Sequence, residues 1–221
     1  AAGNLVHRRT LTPSGVTFDS QRADEQAEFI ASSDNFFRPV NFVNAPDGTL
    51  HVVDMYREVV EGPSWVPEDL KQQGLVDVHG GSDRGRVYRV APPGFKTPSP
   101  PQLGESSRAE LVEHLKNPNS WWRETAQRLL VERQDESAIA PLQTMLATGK
   151  TPTARLHAMW TLQGLGGLRD EDLVVALSDR SAVVREHAVR TAESRLDTSP
   201  RLLKQVIQRH GDDAPRVRFQ V

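Results

Sequence analysis

The chain has 221 residues, 37% hydrophobic and 25% charged, with a formal net charge of −2. That suits one large or two small soluble domains, and it carries no basic stripe of the kind nucleic-acid binders show. It has no cysteine, which excludes disulfides, thiolate nucleophiles, Cys-ligated zinc and c-type haem attachment within this segment. No apolar run approaches the ~18 residues of a membrane span, and none reads as a signal peptide.

In chain order, residues 4–18 offer one or two strands around Thr12, Pro13, Ser14 and Gly15. Residues 23–31 (ADEQAEFIA) have the composition of a short helix. Residues 39–45 (PVNFVNA) predict a strand, and Pro46, Asp47 and Gly48 supply turn chemistry. Residues 49–54 (TLHVVD) follow as a β-branched strand. Between Asp54 and Arg86 lies a long stretch with little strand character. It contains a turn-rich segment (61–67), a short helix over 67–73 with Pro67 in its first turn, and a flexible His79-Gly-Gly-Ser82. Such a loop in a compact domain is usually functional or mobile. Residues 86–90 (RVYRV) predict a further strand, and a Pro-rich, semi-rigid linker covers 93–106.

From 107 onward the period turns helical and an internal repeat emerges. Arg123, Arg155 and Arg185 are each followed three residues later by Ala126, Ala158 and Ala188, and Arg218 by Val221. Six residues before three of them stand Asn117, Asp179 and Asp212, while Arg155 has Gly149 at that place. The small residue lets neighbouring helices approach. The Asp or Asn suits an inter-helix turn, capping the second helix. Each arginine can then reach a neighbouring turn, making a ladder of Asn117, Arg123, Arg155, Asp179, Arg185, Asp212 and Arg218. First helices are expected over 108–115, 137–146, 171–177 and 200–208, giving about three and a half hairpins of a solenoid with a continuous core. The opening Ala1-Ala2-Gly3 and the helical sequence at 216–221 suggest a piece of a longer protein.

The segment 179–188 (DRSAVVREHA) resembles the HEAT-repeat signature. Residues 119–133 (NSWWRETAQRLLVER) and 154–162 (ARLHAMWTL), with 37–40 (FRPV), 46–57 (PDGTLHVVDMYR) and 83–89 (DRGRVYR) upstream, resemble the putative membrane-bound dehydrogenases of planctomycetes and related bacteria. That resemblance implies an α+β multidomain chain. The last blade or blades of a β-propeller similar to quinone-dependent sugar dehydrogenases would occupy 1–92, and a HEAT-repeat α-solenoid 107–221. It also implies an exported or periplasmic parent using pyrroloquinoline quinone, Ca²⁺ and haem c. The parent would act on a sugar or polyol, while this segment alone is expected to be inactive. The solenoid is expected to engage a protein partner or a neighbouring domain. The alternatives are a non-catalytic binding scaffold and a propeller hydrolase or lyase.

Within a propeller, Arg38, Asp54, Tyr56, Arg57, His79, Asp83 and Arg84 are candidates for the channel. There they would meet a quinone's carboxylates, a sugar's hydroxyls or, at Asp54, a Ca²⁺ ion, which prefers oxygen ligands. The competing reading makes Asp54 and Arg57 loop ties and Asp83 with Arg84 a turn. Trp121, Trp122 and Trp160 are either a recognition patch or core. His157 and His187, each just before the repeat alanine, show no metal spacing and read as architecture.

Overall fold

A computed structural model describes residues 3–60 and 62–221; Glu61 of the turn-rich segment and the opening Ala1-Ala2 lie outside the described residues. The fold is α+β, 45% helical and 15% strand, with small sheets that close no barrel among the described residues and a helical C-terminal region. Two units are present. One comprises the residues through Thr12 together with Asp19–Ser99, the other Pro13–Phe18 and Pro100–Val221.

The first unit is built from short strands, of which the β2 end and β3 start within Pro13–Phe18 are counted in the second unit. β1 (Leu5–Val6), β2 (Arg9–Ser14), β3 (Thr17–Arg22) and β4 (Ile30–Ala31) give two two-stranded sheets, β1 with β4 and β2 with β3. The helix expected over 23–31 does not form. Arg22 donates to the Asp24 and Ala27 carbonyls at 2.6 and 3.0 Å, the groups that would accept helical amides. Asp24 is held by Arg8 and Glu28 by His7, so side-chain capture outweighs a modest helical propensity.

β5 (Pro39–Asn44) and β6 (Leu50–Asp54) form the hairpin expected around Pro46-Asp47-Gly48. Gly48 sits at φ 83°, and Asp47 accepts from the Thr49 amide and hydroxyl. After a 3-10 turn (Pro63–Trp65) and α1 (Glu68–Gln72), β7 (Arg86–Val90) joins the far side of β6, giving an antiparallel order β5-β6-β7. Pro67 is the residue before α1 rather than within its first turn. Residues 77–84 fold into tight turns, with amide-to-carbonyl bonds from Gly80 to Asp77, Ser82 to His79 and Arg84 to Gly81. Val52, at the centre of the middle strand, is fully buried.

The second unit begins with a 3-10 turn (Leu103–Glu105) and then holds α2 (Arg108–His114), α3 (Ser120–Arg133), α4 (Ile139–Thr148), α5 (Pro152–Gly164), α6 (Asp170–Leu177), α7 (Ala182–Ala192), α8 (Pro200–Ile207) and α9 (Pro215–Gln220). Their starts follow from capping chemistry. Ser107 and Glu110 make a reciprocal capping box, and Asn119, Thr151 and Ser199 cap α3, α5 and α8. Pro152, Pro200 and Pro215 stand in first turns, where a missing N–H costs nothing. The helix expected from 137 opens as a 3-10 turn (Glu136–Ala138) and becomes α-helical only at Ile139.

Helices pair as α2 with α3, α4 with α5 and α6 with α7. Second helices then stack α3 on α5, α5 on α7 and α7 on α9, while α4 packs on α6 and α6 on α8. Leu111, Leu142, Leu173 and Leu202 recur on the first helices and are fully buried, as are Leu115 and Leu177, with Leu146 nearly so. Ala126, Ala158 and Ala188 are buried on the second helices, where a methyl group is all the spacing admits. Burying a leucine side chain contributes about 1.5–3 kcal/mol, so no single pair carries the core.

Candidate functional site

In the sheet unit, β6 ends at Asp54, whose register partners are Pro39 on β5 and Arg86 on β7. The Asp54 side chain is 0% exposed. Its Oδ1 accepts from the Arg38 and Tyr56 amides at 2.8 and 2.9 Å. Its Oδ2 has no hydrogen-bond partner and lies 4.0 Å from Arg86 Nε. Arg38 turns its guanidinium onto the Phe37 and Glu58 carbonyls. Tyr56, held in the left-handed region at φ 53°, stacks beneath Arg86 at 3.7 Å and against Phe36 at 5.3 Å. Gly81 closes the group: at φ 78°, a Cβ there would lie 2.3 Å from the Tyr56 carbonyl oxygen.

Of the seven sequence candidates, Arg38, Asp54 and Tyr56 therefore come together. Among the described residues Arg57 bonds to the His79 carbonyl, at 3.3 Å, so His79 contributes backbone. Asp83 and Arg84 face each other at 3.8 Å with both side chains exposed, away from the group. Arg86, Phe36 and Gly81 belong to it and were missed; the Arg86–Asp54 pairing is a register property that one strand's sequence does not reveal. Asp54 does not suit Ca²⁺. One oxygen is taken by two amides, the other faces a guanidinium, and no group of three His, Asp or Glu able to hold a metal occurs among the described residues. A quinone's carboxylates would meet Arg38 and Arg86 already engaged, and no cysteine is present to attach haem.

In the helical unit the ladder residues fall into one repeating contact. Arg155 donates Nη1 to the Gly149 carbonyl at 2.7 Å, six residues back. It grips Asp179 of the next turn with Nε and Nη2 at 2.6 and 2.7 Å. Arg185 repeats this, with Nη1 on the Asp179 carbonyl at 2.8 Å and a two-pronged grip on Asp212 at 2.7 Å. Each aspartate also accepts the amide two residues on, from Ser181 and Ala214, which opens the following helix. Planar guanidinium and carboxylate groups match in this geometry. The Arg155 and Asp179 side chains are 3% and 8% exposed. Burial pushes the Asp179 carboxyl up, but the Arg155 grip and the Ser181 amide outweigh it and hold it below the usual range. At Asp212 the Arg185 hydrogen bonds lead and the shift is again downward.

The first rung differs because Gly149 has no carboxylate. Arg123 donates Nη1 to the Asn117 and Pro118 carbonyls at 2.7 Å, and its Nε meets His157 Nε2 at 3.2 Å. His157 Nδ1 sits 2.6 Å from Gln127 Oε1, so the neutral ring donates there and accepts from Arg123. Burial, aided by the Arg123 charge, pushes His157 down to about 4. Asn117 does not cap α3 as expected; its side chain accepts from the amide of Asn119, which is the cap itself. His187 repeats the position of His157, accepting from Trp160 Nε1 at 3.2 Å. Thr161 and Thr191 each return a hydroxyl to the carbonyl of that histidine. The two histidines were read as architecture, but the threonines were missed, although Arg-x-His-Ala-x-x-Thr at 155–161 and 185–191 was there to be read. Trp121, Trp122 and Trp160 pack, partly buried, against the helical core.

Grooves run along these rungs. One of 590 Å³ is lined by Gly149, Arg155, Val175, Asp179 and Arg180, and one of 370 Å³ by Asp179, Arg185, Arg209 and Asp212. The Arg155–Asp179 and Arg185–Asp212 pairs lie at the groove walls, each guanidinium already bonded to its carboxylate. No helix among the described residues is long and apolar enough to cross a membrane.

A family profile described as a domain of unknown function, DUF7133, matches residues 1–94. Neither the curated proteins nor the solved structures give a significant match.

Proposed function

We propose that this chain is a bracing and docking scaffold, in which HEAT-type hairpins form an α-solenoid that positions the preceding sheet unit, itself the end of a β-propeller. The supporting observation is the ladder. Charged groups that a catalytic site would leave available are instead consumed, arginine by arginine, in joining one helix pair to the next. The resemblance to exported sugar- or polyol-dehydrogenase-like proteins supports reading the scaffold as part of such a parent, outside the cytoplasm. Under this reading pyrroloquinoline quinone, Ca²⁺, haem c and the sugar belong to other parts of that parent, and the solenoid's partner is a neighbouring domain or protein.

The test is direct. The purified chain is mixed with pyrroloquinoline quinone, Ca²⁺ and a panel of sugars and polyols, and reduction of an electron-accepting dye is followed. The scaffold reading expects no reduction above the protein-free rate. Turnover that disappears in Asp54→Asn would overturn it in favour of an enzymatic sheet unit.

A further inference from the structure

Arg123 lacks the acidic partner that its successors have. All four ladder arginines, Arg123, Arg155, Arg185 and Arg218, donate Nη1 to the carbonyl six residues back. Arg155 and Arg185 then close Nε and Nη2 on an aspartate of the next turn. For Arg123 the corresponding residue is Gly149. Its Nε goes to the neutral His157 instead, and among the described residues its Nη2 has no acceptor and its charge no carboxylate. A half-buried guanidinium without a counter-charge is costly, and a carboxylate brought to it would recover that cost.

The chain cannot supply the carboxylate at position 149. A Cβ there would lie 2.6 Å from the Met145 carbonyl oxygen and 3.0 Å from Arg155 Cγ. The turn does keep the receiving backbone. On the later rungs the aspartate also accepts the amide two residues on, from Ser181 or Ala214. The counterpart is the Thr151 amide, which has no acceptor among the described residues and belongs to an exposed residue. Lys150 and Arg180 stand at the same turn, both exposed and neither in an ion pair among the described residues; Arg180 is fixed there by its 2.8 Å bond to the Lys150 carbonyl. Lys116 is neutralised by Glu113 at 2.5 Å. A groove of 670 Å³ opens on the turn, lined by Lys116, Pro141, Met145, Lys150 and Thr151 among others. It meets the 590 Å³ groove at Thr148 and Gly149, where Val175 is 47% exposed.

From this geometry we infer that the Gly149–Thr151 turn is a docking site for an acidic peptide segment of a protein partner, whose carboxylate takes the place that Asp179 and Asp212 fill on the later rungs. Arg123, Lys150 and Arg180 set the sign of the partner's charge. The planar guanidinium suits a carboxylate in particular. The two joined grooves favour a chain with apolar residues beside its acid, because a free small anion would leave Met145, Pro141 and Val175 uncovered. The inference rests on the scaffold reading and gives the chemistry of the scaffold's partner.

Peptide selection tests it. A displayed library of random short peptides is selected on the purified full chain, with Arg123→Gln as competitor. The selected peptides should carry an aspartate or glutamate beside apolar residues. In the tightest of them, exchanging that acid for its amide leaves the protein untouched and should weaken binding at least about tenfold, as expected for loss of a charge-assisted contact. Arg123→Lys, which keeps the charge and loses the planar edge, should cost most of the same factor, and Lys150→Gln less. Lys204→Gln, which removes a positive charge on α8, should leave the affinity unchanged. In nuclear magnetic resonance spectra the Arg123 Nε–H and Thr151 amide signals should move with the acidic peptide and stay in place with its amide twin. No selected binder, binders without an acid, or equal affinity for acid and amide would overturn the inference. Free acetate binding as tightly as the peptide would make this a small-anion site and overturn it too. So would self-association of the chain in sedimentation that Arg123→Gln abolishes, which would give the turn to a second copy. The scaffold reading survives each of these results, since it falls on turnover that Asp54→Asn removes.

Discussion

Replacing Arg155 with methionine keeps most of the side chain's bulk and removes both the two-pronged grip on Asp179 and the bond to the Gly149 carbonyl. Asp179 is left almost enclosed, with the Ser181 amide as its remaining close donor and Arg180 nearby. Removing one partner of a buried pair costs about 3–5 kcal/mol, and the retained amide bond places this case near the lower figure. For a helical unit of about 120 residues, an unfolding entropy of about 2.1 cal/mol/K per residue gives about 0.25 kcal/mol/K. A loss of about 3 kcal/mol therefore lowers the melting temperature by about 12 °C. Scanning calorimetry of the wild type, Arg155→Met, Asp179→Asn and the double variant supplies the check. The double variant should recover part of the loss, giving a coupling of at least about 1.5 kcal/mol. A shift under about 3 °C, or strictly additive effects, would refute the claim that this contact holds the second and third pairs together.

Arg185→Ala should also lower the melting temperature, but by less, about 6–8 °C, because Arg209 stands 3.9 Å from Asp212 and still faces that carboxylate. An unchanged melting temperature with weakened partner binding would make this arginine a recognition residue instead. Acid should loosen the stack in two stages. His157 and His187 have depressed folded pKa values, so they stabilise the native state above the ordinary histidine range, and that contribution is lost as pH falls below it, for His157 towards about 4. Asp179, Asp212 and Glu186 are also depressed, and their contribution is lost only as pH falls further, through their folded values. His157→Gln preserves an acceptor for Arg123 and should flatten the upper stage by about 1–2 kcal/mol, a value reduced for the water that reaches the ring. Urea midpoints at pH 7 and pH 4.5 would measure this, and an unaltered pH slope would count against the assigned role. Gly81→Ala, forced into φ 78° against the Tyr56 carbonyl, should destabilise the sheet unit by about 2–3 kcal/mol, seen as a lower near-ultraviolet transition temperature.

How much of this could be read in advance differs between the units. Helix starts were accessible because Ser107, Asn119, Thr151 and Ser199 act on their own neighbours, and the leucine spacing reports a face directly. The Arg-to-Asp geometry followed from repetition, since one good rung implies the others. The rung at Gly149 broke that logic: its acceptor, His157, comes from the neighbouring second helix instead of the turn, and only packing of α3 on α5 reveals it. In the sheet unit the strands at 39–44, 50–54 and 86–90 were visible, as were Arg38 and Tyr56 beside Asp54, but the rest of the Asp54 neighbourhood was not. Its partners come from the tip of a distant turn, from the next strand's register and from an unusual backbone angle at Tyr56. Residues 23–31 show the reverse error, in which local propensity was real and long-range arginine contacts overrode it.

Asp179 and Asp212 each hold two things at once, the residue from which their own second helix starts and the guanidinium of the pair before. Winding of α7 or α9 and attachment to the preceding neighbour therefore draw on the same carboxylate. Order should spread through this region as in a zipper, each seated tooth presenting the next. By the same token, the Arg123–His157 junction, where a neutral ring stands in place of a carboxylate, marks where a melting front would pause or part.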